Sequence, residues 1–97
     1  MAGGDSVVVW AEPERAGPVR VFATFLTPLG EPQPIAQLVL TVAAEDGETE
    51  QRPVERLGPN QFAAEASLAS GSNTVTVVAR TDDGTRVRAV VELRARP

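Results

Sequence analysis

The chain has no histidine, cysteine, tyrosine or lysine, and its only methionine is Met1. Those are the side chains that carry most protein chemistry near neutral pH, so their absence excludes whole classes of function. A hydroxyl nucleophile such as Ser67, Ser70 or Ser72 needs a base to take its proton, and with only carboxylates and arginine left no hydrolase triad can be assembled. Copper and zinc select thiolate, thioether or imidazole ligands, so a dedicated soft-metal site is not expected. Disulfides are ruled out too, and stability must come from apolar burial and backbone pairing. No glycines are spaced as a phosphate-binding loop. One tryptophan and three phenylalanines are few to line a sugar groove for a carboxylate-pair glycosidase. We therefore expect no enzymatic activity, no catalytic residue, no cofactor and no metal site.

Long apolar runs are also missing. No segment approaches the roughly 20 apolar residues that span a bilayer, so no membrane insertion is expected. Met1 to Ser6 lacks the charged-then-apolar order of a signal peptide, and Val7 to Ala11 is too short for its core. Residues 1–5 read as disordered or added for expression, and residues 6–97 as a single domain with one core between two layers. The net charge of −4 argues against nucleic acid as a partner, because that affinity comes from cations displacing counterions along the phosphates. All nine cations are arginine, which together with the alanine, glycine, proline and valine content matches the codon usage of a GC-rich genome.

What is present is strand punctuation. Gly17, Gly30, Gly47, Gly58, Gly71 and Gly84 each fall in a polar or proline-containing stretch between segments rich in valine, threonine and leucine. Helical spacing of apolar residues is not sustained anywhere. The pattern predicts an all-β fold, an immunoglobulin-like antiparallel β-sandwich of about seven strands. The predicted strands are Ser6 to Ala11, Val19 to Leu26, Gln37 to Ala44, Thr49 to Arg56, Gln61 to Leu68, Asn73 to Thr81 and Thr85 to Arg94.

The last two strands alternate most clearly, with Val75, Val77 and Ala79 on one and Val87, Ala89, Val91 and Leu93 on the other forming the buried face. A three-residue loop of Asp82, Asp83 and Gly84, with Gly84 left-handed, opposes Ala79 to Val87 and Val77 to Ala89. A two-residue loop would set Ala79 against Arg88 and bring a charge to the core, so it is rejected. The favoured register also opposes Arg80 to Arg86 on the outer face, a like-charge pair that with Arg88 marks either an anion- or partner-binding patch or simply a solvated face.

Elsewhere the parity of the second strand turns Phe22 away from the face formed by Val19, Val21, Ala23 and Phe25. Phe22 is then partly exposed or covered by a loop. Trp10 is expected to cap the sandwich core, whereas an exposed tryptophan would point to a carbohydrate platform or a partner anchor. Pro53 cannot donate to a ladder, so its strand is placed at a sheet edge charged by Glu48, Glu50, Arg52, Glu55 and Arg56. The loop Thr27 to Pro34, with Leu29 near its centre, is stiffened by three prolines. Glu45, Asp46 and Glu48 around one turn, and Asp82 and Asp83 in another, are the only hint of calcium. Acidic residues suit such turns without any metal.

The segment from Pro13 to Arg94 resembles the YtkA-like immunoglobulin-type domains of bacterial extracytoplasmic and membrane proteins, some of them associated with copper-resistance proteins of the CopC and CopD type. The residues that carry the resemblance are the lead-in Pro13-Glu14-Arg15-Ala16-Gly17-Pro18 to Val19-Arg20-Val21, the turn Pro28-Leu29-Gly30-Glu31-Pro32, and Leu38-Val39-Leu40. They continue through Leu57-Gly58-Pro59-Asn60-Gln61-Phe62-Ala63-Ala64 and the turn Ser70-Gly71-Ser72-Asn73 into Val75-Thr76-Val77-Val78-Ala79-Arg80. The resemblance implies an immunoglobulin-like fold in an extracytoplasmic, periplasmic or cell-surface setting. Copper-binding relatives use histidine or methionine ligands, and this chain has none to carry over, so no site residue is transferred.

The expectation is a non-catalytic extracytoplasmic module for protein interaction or structural support, part of a larger membrane-associated protein, meeting a protein partner or a neighbouring domain. Phe22, Leu29, Arg80, Arg86 and Arg88 are its candidate interaction surface. The alternatives are a carbohydrate-binding accessory domain of a secreted hydrolase, and an auxiliary domain of a copper-handling system without a metal site of its own.

Overall fold

The computed structural model describes residues 6–44, 47 and 49–97. Eight strands follow one another: β1 (Ser6–Glu12), β2 (Gly17–Leu26), β3 (Ile35–Ala44), β4 (Thr49–Arg52), β5 (Val54–Arg56), β6 (Gln61–Leu68), β7 (Gly71–Thr81) and β8 (Arg86–Ala95). They form two four-stranded sheets, the first in the order β1-β2-β6-β5 and the second in the order β4-β3-β7-β8, with all neighbours antiparallel. This is the strand arrangement of an immunoglobulin-like sandwich with one added edge strand.

The core lies where the alternation puts it. Val19, Val21, Ala23 and Phe25 of β2 and Phe62, Ala64, Ala66 and Leu68 of β6 face Leu40 and Val42 of β3 and Val75, Val77 and Ala79 of β7, all buried. Most of these side chains are small, and Phe25 and Phe62 fill the remaining space edge to face, with ring centroids 6.2 Å apart. Two buried amides tie off the chain where ladder bonds cannot. The Asn60 side chain donates through Nδ2 to the Phe25 carbonyl at 2.9 Å, while the Asn60 backbone carbonyl accepts from the Phe25 N–H at 3.0 Å. Asn73, 1% exposed, accepts from the Ala69 N–H at 3.0 Å and donates to the Ala69 and Gly71 carbonyls, closing the link from β6 to β7.

The β7–β8 hairpin has the register that the alternation required, with Ala79 opposite Val87, Val77 opposite Ala89 and Arg80 opposite Arg86. Gly84 has φ +91°, the left-handed position that ends the three-residue loop. Asp83 holds that loop from within, its carboxylate accepting from the Thr81 hydroxyl and from the Thr85 N–H. These bonds, the Thr81 hydroxyl first, hold its pKa below the ordinary aspartate value. Asp83 thus has a turn role that accounts for it without a cation.

The segment expected as one strand from Thr49 to Arg56 is two strands in different sheets. β4 pairs with β3 and β5 pairs with β6, and the crossing occurs at Pro53. A residue with no N–H and a fixed φ suits a point where the ladder must stop on both sides. Arg52 and Arg56, expected as edge charges, instead lace the sheets together across this crossing. Arg52 of β4 reaches the first sheet, its Nε donating to the Glu65 carbonyl at 2.8 Å. Arg56 of β5 reaches the second sheet, its Nη2 donating to the Ile35 carbonyl at 2.8 Å, and its guanidinium lies 4.8 Å from the centre of the Phe62 ring.

Candidate contact surfaces

Each sheet has an outer face, and the two differ in chemistry. On the first sheet β1 turns Val7, Val9 and Ala11 toward the core, which leaves Val8, Trp10 and Glu12 outside. Trp10 therefore does not cap the core as expected. Its parity was set by the small Ala11 beside it, which is buried. Trp10 sits directly across from Phe22 of β2, and the two half-buried rings stack with centroids 5.3 Å apart and planes 16° apart. Phe22 is thus partly exposed, the first of the two expected outcomes, with an aromatic neighbour against it and not a loop.

Around this stack stand Glu12, Arg20, Glu55 and Glu65, with Arg20 bonded to Glu55 at 2.9 Å. The depression lined by Arg20, Pro53, Val54, Glu55, Ala63 and Glu65 has about 180 Å³ of space. That is below the usual range for a small-molecule pocket, roughly 300 Å³ and above. Stacked rings shield one face of each other, whereas a sugar platform needs ring faces open to solvent.

On the second sheet the outward positions are Gln37, Val39, Thr41 and Ala43 of β3, Ser72, Thr74, Thr76, Val78 and Arg80 of β7, and Arg86, Arg88, Val90, Glu92 and Arg94 of β8. Among the described residues four arginines face one glutamate here, on a chain whose net charge is −4. Arg80, Arg86 and Arg88 lie together at the end near the β7–β8 turn. None of the three has an ion-pair or hydrogen-bond partner among the described residues. In contrast, Arg20 is paired with a carboxylate, and Arg52 and Arg56 are bonded to backbone carbonyls across the sandwich. Beside the triad run Val39, Val78 and Val90, with Val39 43% and Val90 56% exposed. The depression between β3, β7 and β8 has about 100 Å³ of space, enough for a few side-chain atoms.

The predicted surface residues therefore divide. Arg80, Arg86 and Arg88 share one face. Leu29, 85% exposed, rises from the β2–β3 loop at the same end of the sandwich as the β7–β8 turn. Phe22 belongs to the opposite sheet and is separated from them by the whole core. The exposed valines were not foreseen, although Leu38-Val39-Leu40 and Val90-Val91 carry the signal, an apolar residue at an outward parity. Glu45, Asp46 and Glu48, one of the two acidic turns considered for calcium, lie outside the described residues. Among the described residues no group of three or more acidic side chains is arranged to hold a metal ion.

No protein-family profile matches the chain, and no curated protein matches it in sequence. Solved structures do. CopC from Methylosinus trichosporium OB3b superposes with a TM-score of 0.73 at 18% identity, over 97% of this chain and 95% of that one. A DUF4426 family protein (PA0388) from Pseudomonas aeruginosa PAO1 matches with a TM-score of 0.72 at 11% identity, over 100% of this chain and 94% of that one. A DUF4785 family protein (lpg0956) from Legionella pneumophila matches with a TM-score of 0.72 at 12% identity, over 95% of this chain but only 29% of that one. The chain thus spans less than a third of the Legionella protein. At these identities the likeness is one of fold: the chain is a small β-sandwich domain with the architecture of CopC and of these two families.

Proposed function

We propose that this chain is a non-catalytic, extracytoplasmic module that works by contact, through the outer face of its second sheet, with an acidic surface on a protein partner or neighbouring domain. The observation that carries the reading is the triad Arg80, Arg86 and Arg88, without partners among the described residues and set beside Val39, Val78 and Val90. Guanidinium groups match carboxylates in paired hydrogen bonds, and a dry apolar strip next to them supplies the water-excluded part of an interface. Three strands about 33 Å long and the short β4, about 13 Å, spaced about 4.8 Å apart, give this face roughly 550 Å². That is about two thirds of the 800 Å² or so that each partner contributes to a standard interface. The resemblance to YtkA-like domains and the fold shared with CopC support an extracytoplasmic setting.

The test is an amide chemical-shift titration with a glutamate- and valine-containing peptide at low and high salt. The shifts are expected along β3, β7 and β8, weakening with salt and vanishing when Arg80, Arg86 and Arg88 are all changed to glutamate. Shifts confined to β1 and β2 would count against the reading.

Two other readings differ in what supports them. Carbohydrate binding is disfavoured by the Trp10–Phe22 stack, whose rings shield one face of each other, and oligosaccharides should leave the fluorescence of this single tryptophan unchanged. The CopC fold favours service beside a copper-handling protein, with the same arginine face as contact surface and no metal ligand supplied by this chain.

A further inference from the structure

The sandwich has four edge strands, and they are unequally protected. β4 and β5 are four and three residues long and flank Pro53, and β1 has seven residues. β8 has ten residues from Arg86 to Ala95, with no proline, glycine or inward-pointing charge. Its core-side residues Val87, Ala89, Val91 and Leu93 are all only half-buried. An edge of this kind is a template for another strand.

The direction of its free backbone groups follows from the turn. Thr81 donates its N–H to the Thr85 carbonyl at 2.8 Å, so in the alternating antiparallel ladder Val87, Ala89, Val91 and Leu93 bond to β7. The N–H and carbonyl groups of Arg86, Arg88, Val90 and Glu92 then point to the open side. The far end is closed, because Arg96 bonds to Glu14 and Ala16 in the β1–β2 connection.

We propose that β8 pairs antiparallel with β8 of a second copy, about a two-fold axis through Ala89, joining the second sheets into one continuous eight-stranded sheet. The side chains choose this register. It sets Arg86 opposite Glu92 twice, Val87 opposite Val91 on the core side, and Arg88 beside Val90 on the outside. Moving the second copy by two residues in one direction opposes Arg88 to Arg88, and in the other opposes Arg86 to Arg94. Like charges directly opposed across a ladder are destabilising. Odd shifts would set outward residues against inward ones, which a two-fold axis normal to the sheet forbids. Each of Arg86, Arg88, Val90 and Glu92 then donates one main-chain hydrogen bond and accepts one. Both arginine faces end on the same side of the joined sheet. This pairing is made by the β8 backbone edge and shares Arg86, Arg88 and Val90 with the partner contact proposed above, whereas Arg80, Val39 and Val78 lie outside it.

Sedimentation velocity on the 97-residue chain, from about 10 μM to about 1 mM, tests it. The expected result is a reversible monomer–dimer equilibrium. Arg86→Glu or Glu92→Arg alone, each acting twice per dimer, raises the dissociation constant about tenfold or more, and the double exchange restores it. Val90→Pro removes an edge-facing N–H and leaves the β7 ladder intact, so it abolishes the dimer while the melting curve of the dilute protein stays unchanged. A chain that remains monomeric throughout, a dimer that survives Val90→Pro, or a double exchange as weak as the single changes would each overturn the proposal.

Discussion

The division of the arginines into clamps and free contact groups can be tested at Arg56. Replacing it with methionine keeps most of the stem and removes the guanidinium. The 2.8 Å bond from Nη2 to the Ile35 carbonyl is a charge-assisted hydrogen bond, worth about 1.5–3 kcal/mol. The face-on contact with Phe62 adds about 0.5–1 kcal/mol. The contacts to Ala36, Gly58 and Pro59 at 3.3–3.4 Å are near the limit of a hydrogen bond and contribute little. Arg56 as a whole is exposed and methionine recovers some packing, so the loss should be about 1–2 kcal/mol, or roughly 4–16 °C in melting temperature for a domain of this size. Arg86→Met and Arg88→Met remove groups with no partner among the described residues and should each change stability by less than about 0.5 kcal/mol. Urea unfolding followed by circular dichroism measures all three. A loss below about 0.5 kcal/mol at Arg56, or above about 1 kcal/mol at Arg86 or Arg88, would refute the division.

Asn73→Ala removes two part-buried hydrogen bonds to the Ala69 backbone made by a side chain that is itself 1% exposed, and thermal unfolding should show a loss of about 1–3 kcal/mol. Asp83 stabilises the β7–β8 turn as a carboxylate with a depressed pKa, so its contribution is present above the ordinary aspartate value of about 4 and fades as pH falls through the lower folded value. Melts of the wild type and Asp83→Asn should accordingly differ at neutral pH and converge in acid; parallel curves down to pH 2 or so would contradict this. Copper(II) titrated into the protein with its amino terminus blocked should show no tight site, because the chain offers no imidazole or thiolate and only Met1 as a thioether. Calorimetric binding tighter than about 1 μM would overturn the absence of a soft-metal site.

The fold was legible where the decisive information is local. In the β7–β8 hairpin, three loop residues and two alternating strands allow one register that keeps Arg88 out of the core, and that register is the one formed. Pro53 was legible as an interruption but not as a crossing, because which sheet β4 and β5 join is decided by distant partners, Leu40 to Ala43 for one and Phe62 to Ala64 for the other. Arg52 and Arg56 were misread for the same reason, since a charged strand edge in sequence becomes a pair of inward clamps only once two sheets stand across from each other. Trp10 was misplaced although its parity was readable. Its bulk suggested burial, while the alternation of Val7, Val9 and Ala11 assigned it to the outside. The arginine triad was legible as a pattern, but its lack of partners required the packed structure.

The claim that this domain acts through the outer face of its second sheet is tested most directly by photo-crosslinking in its native cells. A photoreactive residue is placed at Val78, between Arg80 and Val39, or at the exposed Val8, on the outer face of the opposite sheet. The account predicts a defined protein adduct from position 78 that disappears when Arg80, Arg86 and Arg88 are changed to glutamate, and none from position 8. An adduct from position 8 that persists in the charge-reversed protein, with none from position 78, would contradict it.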